Sequence, residues 1–220
     1  MKHIEWLFFD IGGVLSDESK FTEWRIQNDL EILQKYHPEL TRTNIDAIWE
    51  EASSIVGGLD DNIFTILLKD SERIEQAKSE IAKRKSEATP YSEQQRIRSE
   101  VKEVVAKLSE KYKLGIIANQ HSSIKLKLEE AGVLQYFKNT DVSHDHQLDK
   151  PDLALFQAVF KQAGANPLHS VMIDDNIERG LAPAKKFGMT TVWYRLRERN
   201  VPDGIVDHII KDLDELLNIL

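Results

Sequence analysis

Apolar residues in this chain fall into two alternating patterns. Short continuous runs each stop at a polar or acidic residue: Trp6–Phe9 (WLFF) at Asp10, Leu114–Ala118 (LGIIA) at Asn119, and Val171–Ile173 (VMI) at Asp174 and Asp175. Thr190–Tyr194 (TTVWY) and Ile205–Ile210 (IVDHII) are further strand-like runs, with a short weak one near Asp141–Ser143. Between the runs, apolar positions recur at steps of three and four, the spacing of one helix face. Ser92–Tyr112 carries such a stripe at Ile97, Val101, Val104, Val105, Leu108 and Tyr112. Ser122 or Ser123 is placed to cap a helix ending near Gly132. Pro151 is expected to open a helix with the stripe Leu155, Val159 and Phe160, ending at Gly164. Ile177–Gly188 reads as a helix despite Pro183, and Lys211–Leu220 as a terminal amphipathic helix.

Strands alternating with helices predict an α/β fold, a doubly wound parallel sheet covered on both faces. In such sheets ligands bind beyond the carboxyl ends of the strands, where Asp10, Asn119 and Asp174–Asp175 would all lie. Residues 17–90 break the alternation. They show no clear strand, only helical material at Phe21–Tyr36, Thr43–Ser54, Asn62–Lys69 and Ser71–Ser86, punctuated by Gly57–Gly58 and Pro90. The expected organisation is therefore a core domain of residues 1–16 and 91–220 with an all-helical insertion at 17–90.

Composition narrows the function classes. At 220 residues, with 41% hydrophobic and 30% charged residues, the chain has the make-up of an ordinary globular protein. A net charge of −8 argues against general nucleic-acid binding, which needs surplus Lys and Arg to neutralise phosphates. The absence of cysteine rules out disulfides, thiolate nucleophiles and Cys-ligated zinc. No N-terminal apolar segment reaches signal-peptide or membrane-span length because Asp10 interrupts the first run, so a cytoplasmic location is the default expectation. His144 and His146 have the i, i+2 spacing of a strand face, but no third ligand accompanies them, and a solvated loop is the expected setting.

A buried strand driven into a carboxylate and followed by glycines, as in FFDIGGVL, suits either a plain turn or a reactive aspartate. Three further segments decide between these: GIIANQ at Gly115–Gln120, DKPDLALF at Asp149–Phe156 and VMIDDNIERGLAPAKKFGM ending at Met189. Taken in order, the four resemble the motifs of the haloacid dehalogenase-like hydrolase superfamily, most of whose members are magnesium-dependent phosphatases. The resemblance covers residues 4–16 and about 95–220, and the helical insertion resembles that family's cap in position. It implies a Rossmann-like core and a small phosphorylated substrate. Asp10 would be the nucleophile that becomes an aspartyl-phosphate, and Lys150 a catalytic cation offsetting charge. Mg2+ would be held by Asp10, the Gly12 carbonyl, and Asp174, Asp175 or both, since magnesium takes hard oxygen ligands. Gly12, Gly13, Ala118, Asn119 and Lys150 would face the phosphate.

Two positions depart from the family pattern. Where most of its phosphatases carry a second Asp as general acid and base, this chain has Gly12; where they offer a Ser or Thr hydroxyl, it has Ala118. Two other readings therefore stand beside the phosphatase. One is a 2-haloacid dehalogenase-type hydrolase, which uses the same nucleophile on carbon. The other is a catalytically impaired member that binds a metabolite or protein.

Overall fold

The computed structural model describes residues 3–55, 59–196, 200–201 and 203–220; the Gly57–Gly58 punctuation lies outside the described residues. Contacts divide the chain into two compact units, Met1–Asp17 with Arg96–Leu220, and Glu18–Gln95.

The first unit is built on a six-stranded sheet. Its strands are β1 (Trp6–Phe9), β4 (Lys113–Ile116), β5 (Phe137–Asn139), β6 (Ser170–Asp174), β7 (Thr190–Tyr194) and β8 (His208–Ile210). The order is β5-β4-β1-β6-β7-β8, and every pairing is parallel. The chain starts in the middle, builds outward through β4 and β5, then returns to the other side of β1 for β6. That reversal makes the carboxyl ends of β1, β4 and β6 the switch point where doubly wound sheets bind ligands.

Strand alternation explains why the runs are apolar throughout. Leu7, Phe9, Leu114, Ile116, Val171 and Ile173 face one core, closed by the helices α6 (Val101–Ser109), α7 (Ile124–Glu130) and α11 (Leu216–Ile219). Trp6, Phe8, Met172 and Trp193 face the opposite core, closed by Leu155, Phe156, Val159 and Phe160 of α9 (Leu153–Ala163). With both faces covered, a side chain on either alternation leaves water, which favours apolar residues on both, and the buried Ser170 and Thr191 are each hydrogen-bonded through their hydroxyls.

Local pattern is overridden at several places. The stripe expected over Ser92–Tyr112 is split: α5 (Tyr91–Gln94) ends, and Arg96–Ile97 form β3, antiparallel to β2 (Ser16–Asp17). Ile97 thus pairs with Ser16, and only Val101, Val104, Val105 and Leu108 remain as the buried stripe of α6. Tertiary pairing outcompetes helix propensity over those residues. Pro151 does not open α9; Asp152 does, its carboxylate accepting the Ala154 N–H at 2.8 Å. The strand near Asp141–Ser143 is instead β5, with α8 (Ser143–His146) following. Of Ile205–Ile210 only the last three residues pair, because Asp207 turns its carboxylate to the Thr191 N–H at 2.9 Å. The Ile177–Gly188 helix opens as a π-helical turn (Ile177–Leu181) before α10 (Ala182–Lys186). The wider turn precedes Pro183, whose ring would press on the Arg179 carbonyl in a regular α-helix. Lys211–Leu220 is a 3-10 turn (Leu213–Glu215) followed by α11.

The second unit packs α1 (Ser19–Leu33), α2 (Arg42–Ser54), α3 (Leu59–Leu67) and α4 (Ser71–Glu87) around Ile26, Leu30, Leu33, Ile45, Phe64 and Ile81. Thr41 and Asp70 cap α2 and α4 by accepting N–H groups from Asn44 and Arg73. Inside it, Arg25 donates to Asp29 at 3.2 Å, and the Trp49 indole donates to the same carboxylate at 3.0 Å. No helix among the described residues is long and apolar enough to cross a membrane.

Candidate active site

Asp10 follows β1 directly, its N–H donating to the Ile173 carbonyl at 2.9 Å, so it lies beside the end of β6. Asp174 is the last residue of β6 and is fully buried; Asp175 follows it and is half-buried. One carboxylate oxygen from each of Asp10, Asp174 and Asp175 lies within 4.8 Å of the others. Into this cluster Lys150 extends a buried side chain, its Nζ donating to Asp10 Oδ1 at 2.6 Å and Asp174 Oδ2 at 2.7 Å. Burial on its own would lower the Lys150 pKa, but the Asp10 and Asp174 carboxylates outweigh it and hold the ammonium above its ordinary value.

The neighbouring backbone is shaped around these carboxylates. Asp174 Oδ1 accepts the Asn176 N–H at 2.8 Å, and Asn176 Oδ1 in turn accepts the Arg179 N–H at 2.8 Å, capping the π-turn. That turn lays Gly180 against Asp174: a Cβ there would stand 1.9 Å from Asp174 Oδ2. Gly13, at φ +77°, is equally restricted, since a Cβ would meet Asp175 Oδ2 at 2.5 Å. Its carbonyl accepts a guanidinium N–H of Arg98 at 3.1 Å, and Arg98 also stacks 5.5 Å from the Tyr194 ring centre. Gly12 lies in the same turn, bridged to Ser16. The Asp175 carbonyl accepts from the Trp193 indole at 2.9 Å.

The loop after β4 supports the site from the other side. Asn119 Oδ1 accepts the Lys150 N–H at 2.6 Å and Asn119 Nδ2 donates to the Lys150 carbonyl at 3.0 Å, so both ends of its amide hold the backbone that carries the lysine. Its side chain therefore positions Lys150. Ala118 is fully buried, with its carbonyl accepting the Ser143 N–H at 3.0 Å. Gly180, Asn176 and Arg98 were not legible as site residues. Gly180 left one trace, a glycine inside a helical pattern, which calls for a packing reason.

Gly180→Ala is expected to destabilise the fold by about 1–3 kcal/mol, the range for overpacking, and to lower turnover by displacing Asp174. Urea unfolding and turnover measured together check this; an unchanged midpoint with full activity would show that the turn yields freely.

The histidines take another arrangement than an i, i+2 pair. His144 lies against His121, ring centres 4.1 Å apart, while His146 Nε2 is 3.9 Å from Asp141 Oδ2. Ser123 occupies the N-cap position of α7 without a side-chain cap bond, and the Ser122 hydroxyl donates instead to Asp145 Oδ1 at 2.6 Å, which leaves His144 Nδ1 to donate to Ser122 Oγ at 2.9 Å. Asp145 also accepts the Val142 N–H at 3.0 Å and faces Lys125 Nζ at 2.9 Å. Burial would raise its pKa, but the Ser122, Val142 and Lys125 donors together hold it well below the usual carboxylate range. A depressed folded-state pKa gives stability above the unfolded value of about 4 that is lost as pH falls through the folded one. The unfolding free energies of wild type and Asp145→Asn should thus differ by a constant amount above about pH 5 and converge in more acidic solution.

The model of the haloacid dehalogenase-like hydrolase family matches residues 7–194. The chain belongs to this family. Its relatives include the glyceraldehyde 3-phosphate phosphatase of Pyrococcus furiosus, 24% identical over 237 aligned residues that cover 100% of this chain and 94% of that protein. The pyrimidine 5'-nucleotidase YjjG of Escherichia coli is 31% identical over 112 residues, 49% of each chain. The alignment with YfnB of Bacillus subtilis covers 52% of that protein, so the chain spans about half the length of these two curated relatives. A structure of the HAD-hydrolase YfnB bound to magnesium superposes with a TM-score of 0.65 at 20% identity, covering 100% of this chain and 99% of that one, which is a likeness of fold.

Proposed function

We propose that this haloacid dehalogenase-like protein is a magnesium-dependent phosphatase acting on a small phosphoric monoester. The observation that carries this reading is the buried Lys150 ammonium held between Asp10 and Asp174, with Asp175 beside them, at the switch point of the sheet.

The donor set fits magnesium. Three carboxylates against one ammonium leave a formal charge of −2, and every ligand atom is a hard oxygen. Asp10, Asp174 and Asp175, with the Gly12 carbonyl, would hold the ion. When bound, it would offset the repulsion between the phosphoryl dianion and the Asp10 carboxylate.

The chain's own residues supply the rest. Lys150 fixes the Asp10 carboxylate through Oδ1 and is placed to offset charge as the phosphoryl group arrives. A carboxylate oxygen of Asp10 attacks phosphorus, the ester P–O bond breaks, and its electron pair leaves on the alcohol oxygen. Water then attacks phosphorus in the aspartyl-phosphate, releasing inorganic phosphate and restoring the Asp10 carboxylate. Gly12 has no proton to give the leaving oxygen, so departure depends on the leaving group's own acidity. Ala118 offers no hydroxyl to the phosphoryl group, a loss of about 1.5–3 kcal/mol if that bond acts in the transition state.

Across a series of phosphate monoesters, turnover is expected to require magnesium and to fall steeply as leaving-group pKa rises, with aryl and acyl phosphates fastest. A flat profile would mean that another residue supplies the proton. Gly12 equally suits a 2-haloacid dehalogenase, which needs no second acid. Chloride release from a 2-chloro acid without magnesium, and no phosphate release from aryl phosphates, would establish that reading instead.

A further inference from the structure

The turn after Asp10 contains two adjacent glycines, Gly12 and Gly13, and an unheld glycine pair samples many backbone conformations. Here the turn keeps one shape. Gly13 lies at φ +77°, so near Asp175 that a Cβ would stand 2.5 Å from Asp175 Oδ2. Rotation at Gly13 would press backbone onto that carboxylate or open a gap beside it. The far end of the turn is tied down, because the Ser16 N–H donates to the Ile11 carbonyl at 2.8 Å and the Ser16 hydroxyl to the same oxygen at 3.1 Å. Between these points the Gly13 carbonyl is held by Arg98, whose Nη2 donates to it at 3.1 Å.

Arg98 is itself delivered by backbone pairing. β2 and β3 match Ser16 with Ile97 and Asp17 with Arg96, and the Arg98 N–H extends the ladder by donating to the Leu15 carbonyl at 2.9 Å. The side chain then crosses to Tyr194, its Cζ lying 5.5 Å from the ring centre. Tyr194 is buried at the end of β7, so the guanidinium packs on a surface fixed by the sheet. Arg98 Nε is buried without an acceptor among the described residues. A buried donor left unpaired is unfavourable, and what the side chain keeps in return is its bond to Gly13.

We propose that Arg98 is a positioning residue for the cation site at Asp10, Asp174 and Asp175. By holding the Gly13 carbonyl it fixes the Gly12–Gly13 turn against the Asp175 carboxylate, so that the turn needs no ordering when an ion arrives. The guanidinium acts through the backbone and not as a ligand. The inference rests on the magnesium part of the proposed function and is independent of phosphoryl transfer.

Calorimetric titration of the full chain with magnesium tests it, on wild type, Arg98→Met and Arg98→Lys. Methionine keeps unbranched bulk against Tyr194 but has no donor, whereas lysine keeps a charged donor. Arg98→Met is expected to bind magnesium at least about tenfold more weakly, with Arg98→Lys between it and wild type. Circular dichroism and urea unfolding with a chelator present establish that each variant is folded under the titration conditions. Arg98→Gln, too short to reach the Gly13 carbonyl, serves where Arg98→Met does not fold. With an aryl phosphate, the half-saturating magnesium concentration should rise by a larger factor than kcat falls, a split that a general loss of folded protein does not produce. Wild-type magnesium affinity in the folded Arg98→Met or Arg98→Gln protein overturns the proposal, as does Arg98→Lys binding no better than they do. Magnesium binding without turnover of any phosphate ester would remove the phosphatase reading and leave this inference standing, whereas a wild type that binds no magnesium overturns it.

Discussion

Asp10→Asn is expected to lower phosphate release by at least about four orders of magnitude, the scale seen when a covalent nucleophile is removed, while leaving the fold intact. The amide keeps the carboxylate's shape and can still accept from Lys150 through its carbonyl oxygen, so the sheet edge has no cavity to collapse into. What disappears is the anionic oxygen that forms the bond to phosphorus. Phosphate release from an aryl phosphate, with circular dichroism and thermal unfolding as fold controls, measures this. A folded Asp10→Asn protein with wild-type turnover would end the proposed mechanism.

Removing Lys150 should affect both stability and rate. Its side chain is 5% exposed and that of Asp174 is 0%, so Lys150→Met leaves two carboxylates facing each other without their cation. Breaking a buried pair in this way costs about 3–5 kcal/mol, because the remaining charge is neither solvated nor paired. Urea unfolding with a chelator present reads that loss directly. Adding Asp174→Asn to the variant should recover part of it, since the second substitution removes one of the stranded charges. Turnover with magnesium restored is expected to fall by about 10²–10³-fold, the range for losing one preorganised electrostatic group. Wild-type stability in the single variant would mean that the cluster is not electrostatically bound through Lys150.

The placement of Asp10 and Asp174 is readable from the sequence because the signals behind it are local. An apolar run such as WLFF or VMI has one stable fate in a parallel sheet covered on both faces. The residue that ends the run must then appear at the strand's carboxyl edge. Asp10 and Asp174 needed no further information to be placed there. Asn119 shows where this reasoning stops: its position after β4 followed from the pattern, but its attachment to the Lys150 backbone came from a residue 31 positions away. The same applies to β2 and β3, whose two-residue strands have no periodicity of their own and exist because Ile97 and Ser16 pair.

By itself, then, the sequence determined the alternation of the main strands β1, β4, β6 and β7 with helices, the edge to which the acids go, and the absence of thiol chemistry, since each depends on residue type and short-range spacing. Only the tertiary structure decided which oxygens meet. It set Lys150 Nζ between Asp10 and Asp174, brought Gly180 onto the Asp174 carboxylate, and paired His144 with His121 rather than His146. Contacts between residues far apart in the chain arise from sheet order and loop packing, and the 2.6 and 2.7 Å separations of Lys150 Nζ from the Asp10 and Asp174 carboxylates leave no imprint on spacing along the sequence.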